Sequence, residues 1–114
     1  MDKFKLYPYL VGIALARSLN SLFFYNSTTK VQLKWPNDAY LSGKKFSGCL
    51  EEGEKLNDSE YGKVYIGLGV NIKEGHGFTC IADHTDKNLD KFDILTHFTK
   101  EFMELEKLLG IHVD

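Results

Sequence analysis

Residues 33–50 read LKWPNDAYLSGKKFSGCL, and two turn signals divide this segment into three extended pieces. Apolar and polar residues alternate before the first turn, which is typical of a half-buried strand. Residues 36–38 (Pro-Asn-Asp) have strong turn chemistry, and residues 42–44 (Ser-Gly-Lys) are typical of a hairpin turn. Residues 45–51 then form the returning strand. Tight turns between consecutive strands predict antiparallel pairing.

The segments on either side of this core motif predict two helices and a further strand. Apolar residues between 7 and 23 recur at steps of three and four, which indicates one face of a helix. Residues 64–70 alternate between aliphatic residues and glycine or tyrosine, which is typical of a strand. Residues 92–109 again have helical spacing, with Asp90 as a plausible N-cap and Gly110 as a plausible stop.

Two polar segments complete the chain. Residues 52–62 are acidic and contain glycine, so we predict a surface loop, and residues 73–88 form a long irregular segment of a kind that often carries function. The resulting order is helix, three or four strands, helix. We therefore predict one α+β domain, with a mixed, mainly antiparallel sheet packed against helices.

The composition is that of an ordinary globular protein and excludes several classes of function. The 114 residues carry 14 basic and 16 acidic side chains, so no basic excess is available to bind nucleic acid. Two cysteines cannot form a disulfide framework. No apolar run approaches the roughly 20 residues needed to cross a bilayer. We expect a cytoplasmic protein that binds neither nucleic acid nor membrane.

Glycines within strands are compatible with a bound ligand, whereas the histidine-containing loop is a weak signal for a metal site. Glycine weakens a strand unless something approaches the backbone closely, and a bound ligand is one such reason. No helix and no third glycine follow residues 66–71, so the dinucleotide-binding fingerprint fails. His76, Cys80 and His84 are zinc-type ligands, but no fourth ligand has recognisable spacing. We therefore predict no metal site.

The order of residues in the central segment resembles the signature of biotin protein ligases. Residues 34–38 read Lys-Trp-Pro-Asn-Asp, and Lys45 follows, with Gly48 three residues later. Residues 66–71 resemble the Gly-x-Gly-x-Asn strand that comes next in that family, and residues 78–82 resemble the segment after it. The resemblance implies a catalytic domain of the type shared by biotin ligases and class II aminoacyl-tRNA synthetases.

The resemblance also implies a reaction and a set of site residues. Biotin protein ligases use ATP, accompanied by Mg²⁺, to convert biotin to biotinyl-5'-adenylate, and a lysine of a biotin carboxyl carrier domain then displaces AMP. By this likeness Lys45 contacts biotin and the adenylate phosphate, and Asp38 orients the carrier lysine or accepts its proton. Binding roles are implied for Lys45, Asn37, Gly48, Gly67, Gly69 and Asn71, with Asn71 directed to the adenine or ribose.

The residues of the signature also have ordinary structural explanations. Lys45 beside Lys44 suits a solvated hairpin lysine, and residues 37–38 suit turn capping. Lys34 suits either a cleft or the solvated face of its strand. Trp35 continues the apolar stripe of that strand, so we expect it in the core.

Other parts of a biotin protein ligase have no counterpart in these 114 residues. That family carries strands and a Gly-Arg-Gly-Arg-Arg-Gly loop before the first helix, and a small C-terminal barrel, whereas Arg17 is the sole arginine here. We expect residues 1–114 to be the second half of a catalytic domain. The alternatives are a non-catalytic fragment that needs a partner chain or forms a homodimer, and a lipoate or octanoyl transferase. The Lys-Trp-Pro-Asn-Asp turn favours biotin.

Overall fold

The chain forms a four-stranded antiparallel sheet with two helices against one of its faces. A computed structural model describes residues 6–34, 37–57, 60–75 and 77–110. The elements follow in the order α1 (Tyr7–Phe23), β1 (Gln32–Lys34), β2 (Asp38–Leu41), β3 (Lys44–Asn57), β4 (Glu60–Val70), a short 3₁₀ helix (Ile81–Asp83) and α2 (Lys91–Leu108). The strands are neighbours in sequence order and each pair is antiparallel, which confirms the predicted α+β class.

Helix α1 has the predicted bounds, and two lysines satisfy carbonyl groups at its C-terminus. Pro8 lies in the first turn, where a missing N–H costs no hydrogen bond. The Lys30 ammonium donates to the carbonyl of Phe24, and the Lys87 ammonium donates to that of Phe23 at 3.3 Å. Positive charge at this end also complements the helix dipole.

Helix α2 lies within one residue of the predicted bounds at each end. The Asp90 carboxylate accepts a hydrogen bond from the backbone N–H of Phe92 at 2.8 Å, and Gly110 has the positive φ of a helix stop, +70°. The Tyr7 hydroxyl donates to Glu106 at 3.0 Å and so joins the start of α1 to the end of α2. Within the described residues, neither helix has the length and apolar character that crossing a bilayer requires.

The two hairpins that contain β3 differ in how well the sequence predicts them. Ser42 and Gly43 both have positive φ, 50° and 77°, as a tight two-residue hairpin turn requires, so the predicted turn between β2 and β3 is confirmed. The prediction of a surface loop over residues 52–62 is wrong, because β3 and β4 run through it almost to the hairpin tip. Glu54 pairs with Lys63 there, and opposite charges across strands stabilise an exposed ribbon without apolar alternation.

The core lies between the helices and one side of the sheet, here called the inner face. The opposite side, the outer face, has no helix on it in the described part of the chain. Trp35, which we expected in the core, lies outside the described residues. The fully or almost fully buried core side chains among the described residues are Leu10, Val11, Ala14, Leu15, Leu19, Phe24, Ala39, Leu41, Phe46, Cys80 and Ile81.

Candidate active site

Three predicted site residues lie side by side across the outer face. Asp38 on β2 pairs with Gly48 on β3, and Gly48 pairs with Gly69 on β4. Gly67 is two residues from Gly69 and therefore lies on the same face, opposite Leu50. The register of the sheet alone brings together four of the residues that the sequence singled out.

Lys45 reaches this face through a β-bulge. Ala39 on β2 pairs with Ser47 on β3, whereas the next residue, Tyr40, pairs with Lys45. Phe46 is therefore an extra residue on β3. Phe46 and Ser47 are consecutive, yet both are buried, with 1% and 4% of their surface exposed. Residues three apart in a regular strand point to opposite faces. The bulge cancels that alternation and puts Lys45 on the same face as Gly48.

The Lys45 ammonium lies beside Asp38 and above Gly48. Its Nζ is 3.2 Å from Asp38 Oδ1, and a Cβ added to Gly48 would lie 3.5 Å from each of these atoms. The two side chains are 39% and 33% exposed. Water screens an ion pair at this depth, so it contributes little to stability and can exchange its partners.

Lys34 adds a second positive charge to the outer face. It pairs with Asp38 across β1 and β2, and its Nζ lies 5.6 Å from the centre of the Tyr40 ring. Of the two alternatives for Lys34, the structure supports a position on the face that carries Lys45. Two lysines and one aspartate leave this part of the sheet with a net positive charge, which suits an anionic ligand.

Gly67 and Gly69 form a strip without side chains beside the ion pair. The nearest atom to an added Cβ is the Leu50 carbonyl oxygen at 3.8 Å for Gly67, and the Gly48 carbonyl oxygen at 3.9 Å for Gly69. From the inner side, the Ser47 hydroxyl donates to the Gly69 carbonyl at 2.7 Å. The strip is therefore firmly supported below and open above, so a ligand can approach the backbone closely.

Leu50 borders this strip and was missed by the sequence reasoning. It lies on the outer face opposite Gly67, and 69% of its surface is exposed. Its position two residues after Gly48 in a predicted strand was the available signal. An exposed leucine beside a glycine strip provides an apolar contact for the ring system of a ligand.

Asn71 follows β4 and secures the next segment of the chain. Its backbone N–H donates to Phe46 at 2.9 Å, and its side-chain amide donates to the carbonyls of Gly75 at 3.4 Å and Thr79 at 3.2 Å. Both hydrogens of the amide are therefore used within the protein. The predicted contact of Asn71 with adenine or ribose stays a prediction.

Asn37 lies apart from the glycine strip. Its carbonyl accepts a hydrogen bond from the backbone N–H of Cys49 at 3.0 Å, and its buried Oδ1 has no partner among the described residues. With Asp38 it lines a 230 Å³ cavity between α1 and the sheet, on the helix side. The structure thus brings Lys45, Asp38 and the glycines together and places Asn37 around the end of the strand.

The titratable groups with the largest pKa shifts lie on the helix side of the sheet instead: Cys49 and Glu51 on the inner face, and Tyr7 on α1. Burial raises the pKa of Glu51 to about 7. Burial, with the Glu51 charge nearby, raises the pKa of Cys49 to about 11. Burial and the hydrogen bond to Glu106 raise the pKa of Tyr7 to about 12. Alternation along β3 directs Cys49 and Glu51 away from the outer-face residues.

The segment after β4 holds no metal centre among the residues that the structure describes. No group of three His, Cys, Asp or Glu side chains there is arranged to bind an ion. His84 Nε2 contacts the Thr79 hydroxyl at 2.7 Å, and Cys80 is buried, while His76 lies outside the described residues. Asp38, the carboxylate beside Gly48, faces an ammonium, and the described residues form no cluster of oxygen ligands for Mg²⁺ around it.

Comparison with protein families and sequences identifies relatives for over half of the chain. Residues 2–71 match the model of the Biotin/lipoate A/B protein ligase family. The bifunctional ligase/repressor BirA of Escherichia coli K12 is 38% identical over 64 residues, which cover 55% of this chain and 18% of that protein. Biotin–protein ligase 2 of Arabidopsis thaliana is 31% identical over 81 residues, which cover 67% of this chain and 23% of that protein.

Solved structures extend the likeness to most of the chain. The apo biotin protein ligase of Aquifex aeolicus superposes with a TM-score of 0.68 at 25% identity, over 90% of this chain and 45% of that one. The Aquifex enzyme in complex with biotin and ATP gives a TM-score of 0.67 at 26% identity, over 90% and 43%. This chain therefore spans less than half the length of these two solved proteins.

Proposed function

Because this chain belongs to the biotin/lipoate A/B protein ligase family, we propose that its outer face is part of a site that joins biotin to a protein lysine at the expense of ATP. The observation that carries the proposal is the ammonium of Lys45 beside a strip of strand without side chains. Such a strip accepts a flat ring, and the ammonium lies at one end of it to receive a carboxylate or a phosphate.

The first step would activate biotin. The biotin carboxylate attacks the α-phosphorus of ATP, which forms biotinyl-5'-adenylate and releases pyrophosphate. Negative charge accumulates where carboxylate and phosphate oxygens meet, and Lys45 is the charge that would stabilise it. Such a charge-assisted hydrogen bond is worth about 1.5–3 kcal/mol. Mg²⁺ would be held by the nucleotide phosphates and would neutralise part of their charge.

The second step would transfer biotin to a biotin carboxyl carrier domain. The amine of the carrier lysine attacks the acyl carbon, AMP leaves, and the proton lost from the amine needs an acceptor. Asp38 is suited to this role because its ion pair with Lys45 is exposed and exchangeable. An adenylate phosphate that binds Lys45 would free the Asp38 carboxylate at the stage when a base is required.

We further propose that residues 1–114 correspond to part of a ligase catalytic domain that works together with other protein. The chain covers less than half of the solved enzymes, and its sole arginine is Arg17. A partner segment that supplies an arginine-rich loop would complete the contacts to the adenylate. Free Cys49 and Cys80 suit the reducing cytoplasm, where ATP and apo-carboxylases are present.

Carrier biotinylation tests the proposal directly. The chain is incubated with ATP, Mg²⁺, biotin and an apo carrier domain, with and without a chain that supplies the upstream strands and arginine-rich loop, and the carrier is analysed by mass spectrometry. We expect product only in the supplemented reaction, and its loss with Lys45→Ala. Lys44→Ala is the matched control, because it removes the neighbouring charge from the hairpin turn.

The same reaction distinguishes the alternatives. Product from the chain alone would show that no partner is needed. Transfer of lipoate or octanoate in place of biotin would identify the other branch of the family. A supplemented reaction without any acyl transfer, from a folded chain, would overturn the proposed function.

A further inference from the structure

Thr79 lies where a third backbone segment joins β3 beside the bulge. β4 ends at Val70, opposite Ser47, so the carbonyls of the two preceding β3 residues have no partner on that strand. The backbone N–H of Asn71 donates to the Phe46 carbonyl at 2.9 Å, and that of Thr79 donates to the Lys45 carbonyl at 3.1 Å. The backbone of Lys45 is thereby held from this edge as well as from β2.

The Thr79 side chain is itself fixed by two ionisable neighbours. It is buried, and its hydroxyl oxygen lies 2.7 Å from His84 Nε2 and 3.3 Å from Asp83 Oδ2. A hydroxyl has one proton to donate and can also accept. Both contacts are hydrogen bonds when His84 donates to Thr79 and Thr79 donates to Asp83. Bonds from Cys80 and then from Thr79 hold the pKa of Asp83 below its usual value.

We infer that Thr79 is a positioning residue for Lys45. Its hydroxyl locks the 79–84 turn, its N–H holds the Lys45 carbonyl, and this anchor keeps the bulge in the geometry that directs the ammonium over Gly48. The inference builds on the proposed role of Lys45, but the structural link between Thr79 and Lys45 can be measured without any catalysis.

Substitution at position 79 separates the hydroxyl from the backbone contact. Thr79→Val preserves shape and N–H but leaves His84 Nε2 and Asp83 without their shared partner, whereas Thr79→Ser keeps the hydroxyl. Loss of one buried hydrogen-bonded group corresponds to about a tenfold change in a local opening equilibrium. We expect the backbone amide hydrogen of residue 79 to exchange with solvent about tenfold faster in Thr79→Val than in the wild-type chain, and at the wild-type rate in Thr79→Ser.

Nuclear magnetic resonance of the ¹⁵N-labelled chain provides the test. The signals to follow are the Thr79 amide, the Lys45 amide and side-chain nitrogen, and the His84 ring nitrogens. Thr79→Val should shift the Lys45 signals and the His84 tautomer, and Thr79→Ser should restore both. Thr85→Val is the control, because its hydroxyl accepts from the nearby Lys87 N–H on an exposed turn. His84→Ala, which leaves residue 79 intact, should shift the Lys45 signals in the same direction.

The outcomes separate this inference from the proposed function. The positioning role would be overturned if a folded Thr79→Val or His84→Ala chain showed wild-type Lys45 resonances and a wild-type exchange rate for the backbone amide of residue 79. In the supplemented ligase reaction, Thr79→Val should lower kcat about tenfold, with rescue by Thr79→Ser. If Thr79→Val shifts Lys45 while Lys45→Ala still supports full biotinylation, the positioning role stands and the function assigned to Lys45 fails.

Discussion

Replacing Gly69 with alanine adds one methyl group to the open strip on the outer face. The added Cβ would meet nothing nearer than the Gly48 carbonyl oxygen at 3.9 Å, so the strand can accept it without moving. Glycine inside a strand costs about 0.5–1 kcal/mol relative to alanine, because unfolded glycine has more conformational freedom. We therefore expect Gly69→Ala to raise the free energy of unfolding by about this amount, and Tm by about 2–6 °C.

The same methyl group would occupy space that we assign to biotin. One extra methyl in a closely packed contact costs about 1–3 kcal/mol, which corresponds to roughly 5- to 150-fold weaker binding. Gly69→Ala should thus stabilise the fold and raise the biotin concentration for half-maximal carrier labelling. Gly53→Ala, on β3 opposite Val64, is the control and should leave that concentration unchanged.

Thermal unfolding followed by circular dichroism measures the first effect, and a biotin titration of the supplemented labelling reaction measures the second. A Gly69→Ala chain with higher Tm and unchanged biotin dependence would refute the assignment of the glycine strip to the ligand. A lower Tm would instead refute the argument that the strip is free of steric constraint in the unliganded protein.

Three further predictions concern the charged residues. Lys45→Ala should slow adenylate formation about 10- to 100-fold, measured as release of pyrophosphate, whereas Lys44→Ala should not. Asp38→Asn should retain pyrophosphate release but slow transfer to the carrier, and equal loss of both steps would contradict its role as proton acceptor. The pKa of Glu51 is raised from 4.5 to about 7, so the folded state favours its protonated form. Stability should therefore fall as pH rises from 4.5 through 7, and Glu51→Gln should flatten this part of a plot of Tm against pH.

The elements with strong local signals were predictable from the sequence. Both helices have apolar faces at helical spacing, and Asp90 and Gly110 mark the ends of α2, so their bounds required no knowledge of tertiary structure. The Ser42–Gly43 turn is equally local, since its positive φ angles depend on the residues in it. The turn sets the register of β2 and β3 only as far as Tyr40. The pairing of Asp38 with Gly48 also requires the bulge at Phe46, which the turn does not determine.

Features that depend on pairing with a distant strand were not predictable. Residues 52–57 and 60–62 belong to β3 and β4, which pair through backbone hydrogen bonds, and these residues have no apolar alternation that would signal a strand. The bulge at Phe46 is not visible in the residue pattern, because it results from fitting the phenyl ring and the Ser47 hydroxyl into the inner face together. The spacing of Leu50 from Gly48 indicates a shared face of the strand, but its exposure beside the glycine strip depends on the pairing with Gly67.

The bulge at Phe46 makes the position of the Lys45 side chain depend on the number of residues between Lys45 and Gly48. Gly48 is three positions after Lys45, and in a regular strand residues three positions apart point to opposite faces. The Lys45 ammonium therefore reaches the outer face only while Phe46 is an extra, unpaired residue on β3. If one residue between them were deleted and the strand became regular, the lysine would stay on the outer face, because residues two positions apart in a regular strand lie on the same face. Removing the irregularity without shortening the chain would turn the charge inward, against Leu41 and its apolar neighbours. Insertions and deletions at this point should therefore be tolerated only when they arrive together with a change in strand regularity.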